Sequence, residues 1–205
     1  MKPINIEKII LASKSPRRKE LLEKIGINIQ ILPSNIDEDL ISIKSPEDYV
    51  KELAFLKAES IALIHPDTWI IGADTIVVEQ NQIFGKPKSK SQAFEMLNKL
   101  NNCEHSVYTG FCVMNNKKKV ILKNVVETKV YFKDLSHEEI NFYINTDEPF
   151  DKAGGYGIQG IGSFMVKSIC GSYTNVVGLP VCELVETLKE LNIIHFKDLN
   201  HYAVN

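Results

Sequence analysis

The sequence predicts an α/β protein with a mixed, partly antiparallel twisted sheet and flanking helices. Three observations carry this. Apolar runs of strand length mix with segments of helical period, without the strict alternation of a parallel sheet. Two long runs in "HSVYTGFCVMNNKKKVILKNVVETKVYF" flank an Asn-Asn-Lys-Lys-Lys turn and read as paired strands. Helix starts are written at Ser15-Pro16, at Ser45-Pro46 and at the capping-box pair Ser136 and Glu139.

In chain order, Lys8 to Ala12 reads as a strand. The helix after it has Ser15 as cap, Pro16 at its first position, Leu21, Leu22 and Ile25 as an apolar stripe and Gly26 as its stop. "NIQILPS" reads as a second strand, and "SPEDYVKELAFLKAESIALI" as a second helix with Glu47 and Asp48 in its first turn. "TWIIGADTIVV" is a buried strand interrupted at Gly72-Ala73-Asp74, and "KSQAFEMLNKL" a third helix. Beyond the long strand pair come the helix "SHEEINFYINT", a Gly-rich stretch from Asp151 to Gly162, the strand "SFMVKSI" and a final helix beginning near Pro180. No repeat or linker divides the chain, so a single domain over 1–205 is expected, with 193–205 as a C-terminal extension.

The 205 residues are 44% apolar and 24% charged, enough to bury a core. A net charge of −2 without a basic arm argues against a nucleic-acid partner. Cys103, Cys112, Cys170 and Cys182 lie far apart and form no metal-ligand spacing, which reads as idle thiols in a reducing compartment. "MKPINIEKIILAS" has an apolar run too short for a signal peptide or a spanning helix, so a cytoplasmic protein with no membrane partner is expected.

The candidate chemistry begins at Arg17 and Arg18. They occupy a helical first turn, where the backbone dipole favours acids. One reading is a solvated basic turn. The other is an anion site in which free N–H groups, the Ser13 and Ser15 hydroxyls and two guanidiniums converge on phosphate. Asp74 stands between apolar neighbours, where a carboxylate needs a cation or a metal. It reads either as a turn-bonding Asp or as a metal ligand or general base at a strand's carboxyl end. Asp37, Glu38 and Asp39 read as a solvated loop or as hard oxygen ligands for Mg²⁺ or Mn²⁺. Lys57 and Lys86 are surface lysines or point charges for a polyphosphate. Gly155, Gly157 and Gly160 match G-x-G-x-x-G in letters but lead into a strand, so no dinucleotide fingerprint is read there.

Taken together, "LASKSPRRKELL", "IDE", "LAFLKA", "IIGADTIVV", "FGKP", "EPFDKAGGYGIQG" and "TNVVGLP" resemble the Maf family of nucleoside triphosphate pyrophosphatases, from about Ile9 to Leu191. The resemblance implies two lobes around a cleft, similar to inosine triphosphate pyrophosphatases, and a homodimer. It implies hydrolysis of a nucleoside triphosphate to monophosphate and pyrophosphate with Mg²⁺ or Mn²⁺. Asp74 matches the family's proton acceptor. Arg17, Thr75 and Gln159 match its specificity positions. Ser13, Arg18, Glu38, Lys57 and Lys86 match polar positions for phosphate or metal. A related branch directed to 7-methylguanosine triphosphate has Trp, Gln and Glu at the three specificity positions. Gln159 can both donate and accept, as the edge of uracil or thymine requires, so the triplet resembles the dTTP/UTP branch.

The expected mechanism holds the triphosphate with the "SKSPRR" turn, Lys57 and Lys86. A metal on Asp74 and Glu38 polarises the α-phosphoryl group, and Asp74 takes a proton from the attacking water. The alternative is a regulatory nucleotide-binding protein that affects cell division.

Overall fold

The structure is a computed structural model that describes residues 3–37 and 45–196. Among them, the strands are β1 (Pro3–Asn5), β2 (Ile9–Leu11), β3 (Gln30–Ile31), β4 (Trp69–Glu79), β5 (Gln82–Phe84), β6 (Glu104–Asn115), β7 (Val120–Phe132), β8 (Val166–Cys170) and β9 (Ile194–Phe196). The helices are α1 (Pro16–Lys24), α2 (Pro46–Ala62), α3 (Lys90–Leu100), α4 (His137–Ile144), α5 (Tyr173–Val177) and α6 (Val181–Glu190). The main sheet runs β3-β2-β4-β6-β7-β8, with β5 also on β4. β2 pairs in parallel with β3 and β4, and the remaining pairs are antiparallel. The sheet is therefore mixed, as expected. β1 and β9 form a separate antiparallel pair.

Strand alternation sorts the core. On one face of β4, Trp69, Ile71 and Ala73 join Phe111, Val113, Leu22 and Leu184 in one apolar cluster. Farther along the same face, Val77 joins Val107, Phe84, Leu97 and Phe132 in a second. Thr75 and Thr109, paired across β4 and β6, fall between the two. The opposite face receives α2, whose Ala54, Ala58 and Ile61 pack with Ile70, Cys112 and Met114. Gly72 makes this approach possible, because a Cβ there would lie 2.1 Å from the Ala54 carbonyl oxygen and 2.8 Å from the Ala58 nitrogen. Residues 193 and 194 enter the core: Ile193 and Ile194 are buried in the first cluster.

Several expectations shift. β4 is continuous from Trp69 to Glu79, so no interruption occurs at Gly72-Ala73-Asp74, and Asp74 sits mid-strand instead of at a carboxyl end. "NIQILPS" pairs only at Gln30 and Ile31, and Pro33 has no N–H to extend the ladder. The first half of "SFMVKSI" coils into a 3₁₀ turn, Gly160–Met165, before β8 begins. The Gly-rich stretch opens no α-helix of the dinucleotide-binding kind. All four cysteines are free thiols.

Candidate active site

β4 is paired along one side by β6, from Ile70 opposite Met114 to Val78 opposite Ser106. Its other side is covered only near the ends, by β2 at Trp69–Ile71 and by β5 at Val77–Glu79. Between these strands, at 72–76, no described strand lies beside β4. A cleft of about 1250 Å³ opens at this split. Ser13, Arg17, Arg18, Lys57, Asp74, Thr75, Lys86 and Gln159 all line it. Glu38, the second expected metal ligand, lies outside the described residues.

Arg18 closes the backbone accounts at the split. The Ile71 carbonyl accepts the Ala12 N–H at 2.8 Å on the β2 side. Two residues on, the Ala73 carbonyl points the same way and accepts from Arg18 Nη1 at 2.9 Å. The guanidinium thus does here what a strand N–H does one step earlier. Its Nε donates to the Gly178 carbonyl at 2.7 Å, Nη1 also to Ser13 Oγ at 3.0 Å, and Nη2 to Thr75 Oγ1 at 3.0 Å. Arg18 is buried, and these hydrogen bonds tie α1, β4 and the end of α5 together.

Asp74 is buried on the face that receives α2. Its Oδ1 accepts from Lys57 Nζ at 2.6 Å, with both side chains 11% exposed. The sequence demanded a cation or a metal for this carboxylate, and α2 supplies a cation. Removing one partner of such a pair is far more destabilising than the pair is stabilising.

Thr75, on the other face, bonds Thr109 Oγ1 at 2.9 Å, and Thr109 Oγ1 donates to the Asn175 carbonyl at 3.1 Å. Asn175 is fully buried, and its Nδ2 donates to the Val107 carbonyl and to Thr128 Oγ1. These bonds fix α5 against β6 and β7, and with it the Gly178 carbonyl that receives Arg18. Asn175 carries no sequence signal beyond its place in "TNVVGLP". Its importance comes from tertiary contacts 47 and 68 residues away.

The start of α1 differs from its counterparts. Ser45, Ser89, Ser136 and Ser172 each accept a backbone N–H in their own first turn. Ser15 occupies the cap position of α1 without making that bond. Arg17, in the same turn, reaches Asp151: Nη1 to Oδ2 at 2.6 Å and Nη2 to the carbonyl at 3.1 Å. Lys152 Nζ also meets Asp151, at 2.6 Å. Burial opposes the charged form of Asp151, but the hydrogen bonds from Lys152 and Arg17 outweigh it and hold the carboxyl below its ordinary range. Asp151 thus offsets a guanidinium placed where the helix dipole repels it. The two arginines diverge, one to this acid and one to the split edge.

Gln159 stands at the cap of the 3₁₀ turn Gly160–Met165, half-buried in the cleft wall. Lys86 is exposed at the mouth. Behind the wall, His105 Nε2 and the Tyr156 hydroxyl lie 2.7 Å apart in a fully enclosed setting. Burial drives the His105 pKa down to about 4, so the ring is neutral at pH 7. Nothing in the sequence distinguishes His105 from the other histidines.

Among the described residues, no three His, Cys, Asp or Glu side chains form a metal cage. Mg²⁺ requires none, since it takes one or two carboxylates and fills its remaining positions with water and substrate phosphate. Asp74 at the split, with Asp37 also on the cleft lining, fits that manner of binding.

Fold and site together define an α/β protein whose central strand is split on one edge, with a carboxylate and several cations gathered in the split. The chain belongs to the Maf-like protein family, whose model matches residues 8–191. It is 50% identical over 186 residues to a dTTP/UTP pyrophosphatase of Geotalea uraniireducens, covering 91% of this chain and 96% of the relative. It is 45% identical over 195 residues to a dTTP/UTP pyrophosphatase of Syntrophus aciditrophicus, covering 95% of each. A third, from Geobacillus sp., is 48% identical over 91% of this chain and 99% of its own. Among solved structures, the Ham1 protein of Staphylococcus aureus aligns with a TM-score of 0.48 at 16% identity, over 78% of this chain and 80% of that one. The fold description therefore rests on this chain's own sheet and helices.

Proposed function

We propose that this chain is a nucleoside triphosphate pyrophosphatase that hydrolyses dTTP and UTP to the monophosphate and pyrophosphate. The observation that carries the reading is that Asp74, Lys57, Arg17, Arg18, Ser13, Lys86 and Gln159 line one cleft, with Asp74 at the split edge of β4. The names of relatives that align along nearly their whole length support the same substrate pair.

In this reading the triphosphate lies along the split. Ser13, Lys57, Lys86 and Arg17 hold its oxygens, and Arg17 exchanges Asp151 for phosphate as the substrate enters. Arg18, committed to protein acceptors, contributes its charge from the floor and fixes Ser13 and Thr75. Asp74 accepts the proton of the water that attacks the α-phosphorus, and pyrophosphate departs. Lys57 keeps the carboxylate oriented and supplies its counter-charge. A divalent cation, Mg²⁺ or Mn²⁺, held by Asp74 and Glu38, would neutralise developing charge on the phosphoryl oxygens. Gln159, with Thr75 and Arg17, selects the base, because an amide can donate and accept at once. A cytoplasmic setting and a homodimeric state belong to the same proposal, and light scattering on the purified protein tests the second.

The test is pyrophosphate release from a nucleotide panel with and without Mg²⁺ or Mn²⁺. The reading requires dTTP and UTP to turn over fastest, and only with metal. Binding of UTP without release of pyrophosphate would favour a regulatory nucleotide-binding protein.

A further inference from the structure

The 3₁₀ turn Glu148–Asp151 lies at the cleft wall and carries two carboxylates whose side chains point to different partners. Asp151 holds Arg17, as described. Glu148 accepts three donors: the Ile161 N–H at 2.9 Å on Oε2, the Gly162 N–H at 3.0 Å on Oε1, and the Tyr143 hydroxyl at 3.1 Å on Oε1. Tyr143 is fully buried, so one side of this carboxylate is anchored in the core. The two amides belong to the turn that Gln159 caps. Gly160, between Gln159 and these amides, has φ +71°, and a Cβ there would lie 2.7 Å from Glu148 Oε2. Glycine, the one residue type without a Cβ, therefore stands where the carboxylate must pass. Lys152 Nζ completes the unit by donating to the Glu148 carbonyl at 2.6 Å.

We propose that Glu148 is the positioning residue for base selection: its carboxylate sets the 159–162 turn, and so the direction in which Gln159 presents its amide. This rests on the reading of Gln159 as a base-selecting group. Before substrate enters, the same short turn also holds Arg17 through Asp151. A purely structural clamp would support stability alone; a positioning clamp also governs which base is accepted.

The experiment measures kcat/KM for UTP and for GTP in the wild type, Gln159→Ala, Glu148→Gln and the double variant, with melting temperatures alongside. Hydrogen exchange follows the segment that contains Ile161 and Gly162. Gln replaces one acceptor oxygen with an NH₂ group, which faces an N–H donor. Glu148→Gln is expected to lower the UTP/GTP ratio by about tenfold, as misplacement of a contacting group does. It should also speed exchange of the two amides, and add little to the loss in Gln159→Ala, since both changes act through one side chain. If Glu148→Gln does not fold, Tyr143→Phe removes one donor to the carboxylate and should shift the ratio in the same direction by about two- to threefold. If Gln159→Ala shifts the ratio and neither Glu148→Gln nor Tyr143→Phe does, the inference is wrong and base selection by Gln159 stands. If Gln159→Ala leaves the ratio unchanged, that reading falls and takes the inference with it.

Discussion

Gly72→Ala is a one-methyl change that should disable a site whose residues it does not touch. The added Cβ would stand 2.1 Å from the Ala54 carbonyl oxygen and 2.8 Å from the Ala58 nitrogen, and both belong to the backbone of α2. Neither atom can rotate away. Restoring ordinary contact requires α2 and β4 to separate by about 1 Å or more. Overpacking of this kind costs about 3 kcal/mol at the upper end of its range. In a chain of this size, that lowers Tm by about 6–12 °C. The same displacement pulls Lys57, on α2, from its 2.6 Å contact with Asp74, on β4. A misplacement of about 1 Å in a catalytic constellation costs about 10²-fold in rate. Calorimetry reads the first quantity, and pyrophosphate release from UTP reads the second. A Gly72→Ala protein that melts within about 2 °C of the wild type and keeps its kcat/KM would refute the claim that close approach of α2 sets the site.

Asp74→Asn keeps the shape of the side chain but removes the proton acceptor and the counter-charge of Lys57, and should lower kcat for UTP by about 10²–10⁴-fold together with a lower Tm. Arg18→Lys cannot fork to the Gly178 and Ala73 carbonyls, and each buried acceptor left unmet costs about 1–3 kcal/mol, so a lower Tm is expected by circular dichroism. His105 gives a pH test. Its folded pKa of about 4 lies below the ordinary 6.5 because burial disfavours the charged ring. Below pH 6.5 the unfolded chain binds a proton that the folded chain refuses, so this group removes stability as pH falls from about 6.5 to about 4. Between pH 7 and pH 5, the wild type should lose about 2 kcal/mol more than His105→Gln in urea titrations; equal losses would contradict the burial argument.

The legible parts of the fold were those with local chemistry. α2, α3 and α4 follow from local sequence: the Ser caps read for α2 and α4 are bonded in the structure, while the Ser89 cap of α3 was not singled out. β6 and β7 followed from two long β-rich runs around a lysine turn. α5 was missed because five residues with two adjacent valines offer little helical signal; Ser172 and buried Asn175 hold it in place. β1, β5 and β9 are three residues each, shorter than any periodic pattern can mark. At the site, the need of Asp74 for a cation was readable from its apolar neighbours. That the cation would be Lys57 was not, because only the packing of α2 on Gly72 brings the two together. The interruption expected at Gly72-Ala73-Asp74 does not occur: β4 is continuous there, and the split concerns only which described strands pair with its edge. The diverging paths of Arg17 and Arg18 were equally hidden, since Asp151 and Gly178 lie 134 and 160 residues away from them.

The central claim is that the split edge of β4 is where the α-phosphate of a pyrimidine nucleoside triphosphate reacts. A crystal structure with a non-cleavable UTP analogue tests it most directly. The account predicts the α-phosphorus beside Asp74 and Lys57, the phosphate tail toward Arg17 and Lys86, and the base against Gln159. An analogue bound with its triphosphate away from the split, and Asp74 still holding only protein partners, would contradict it.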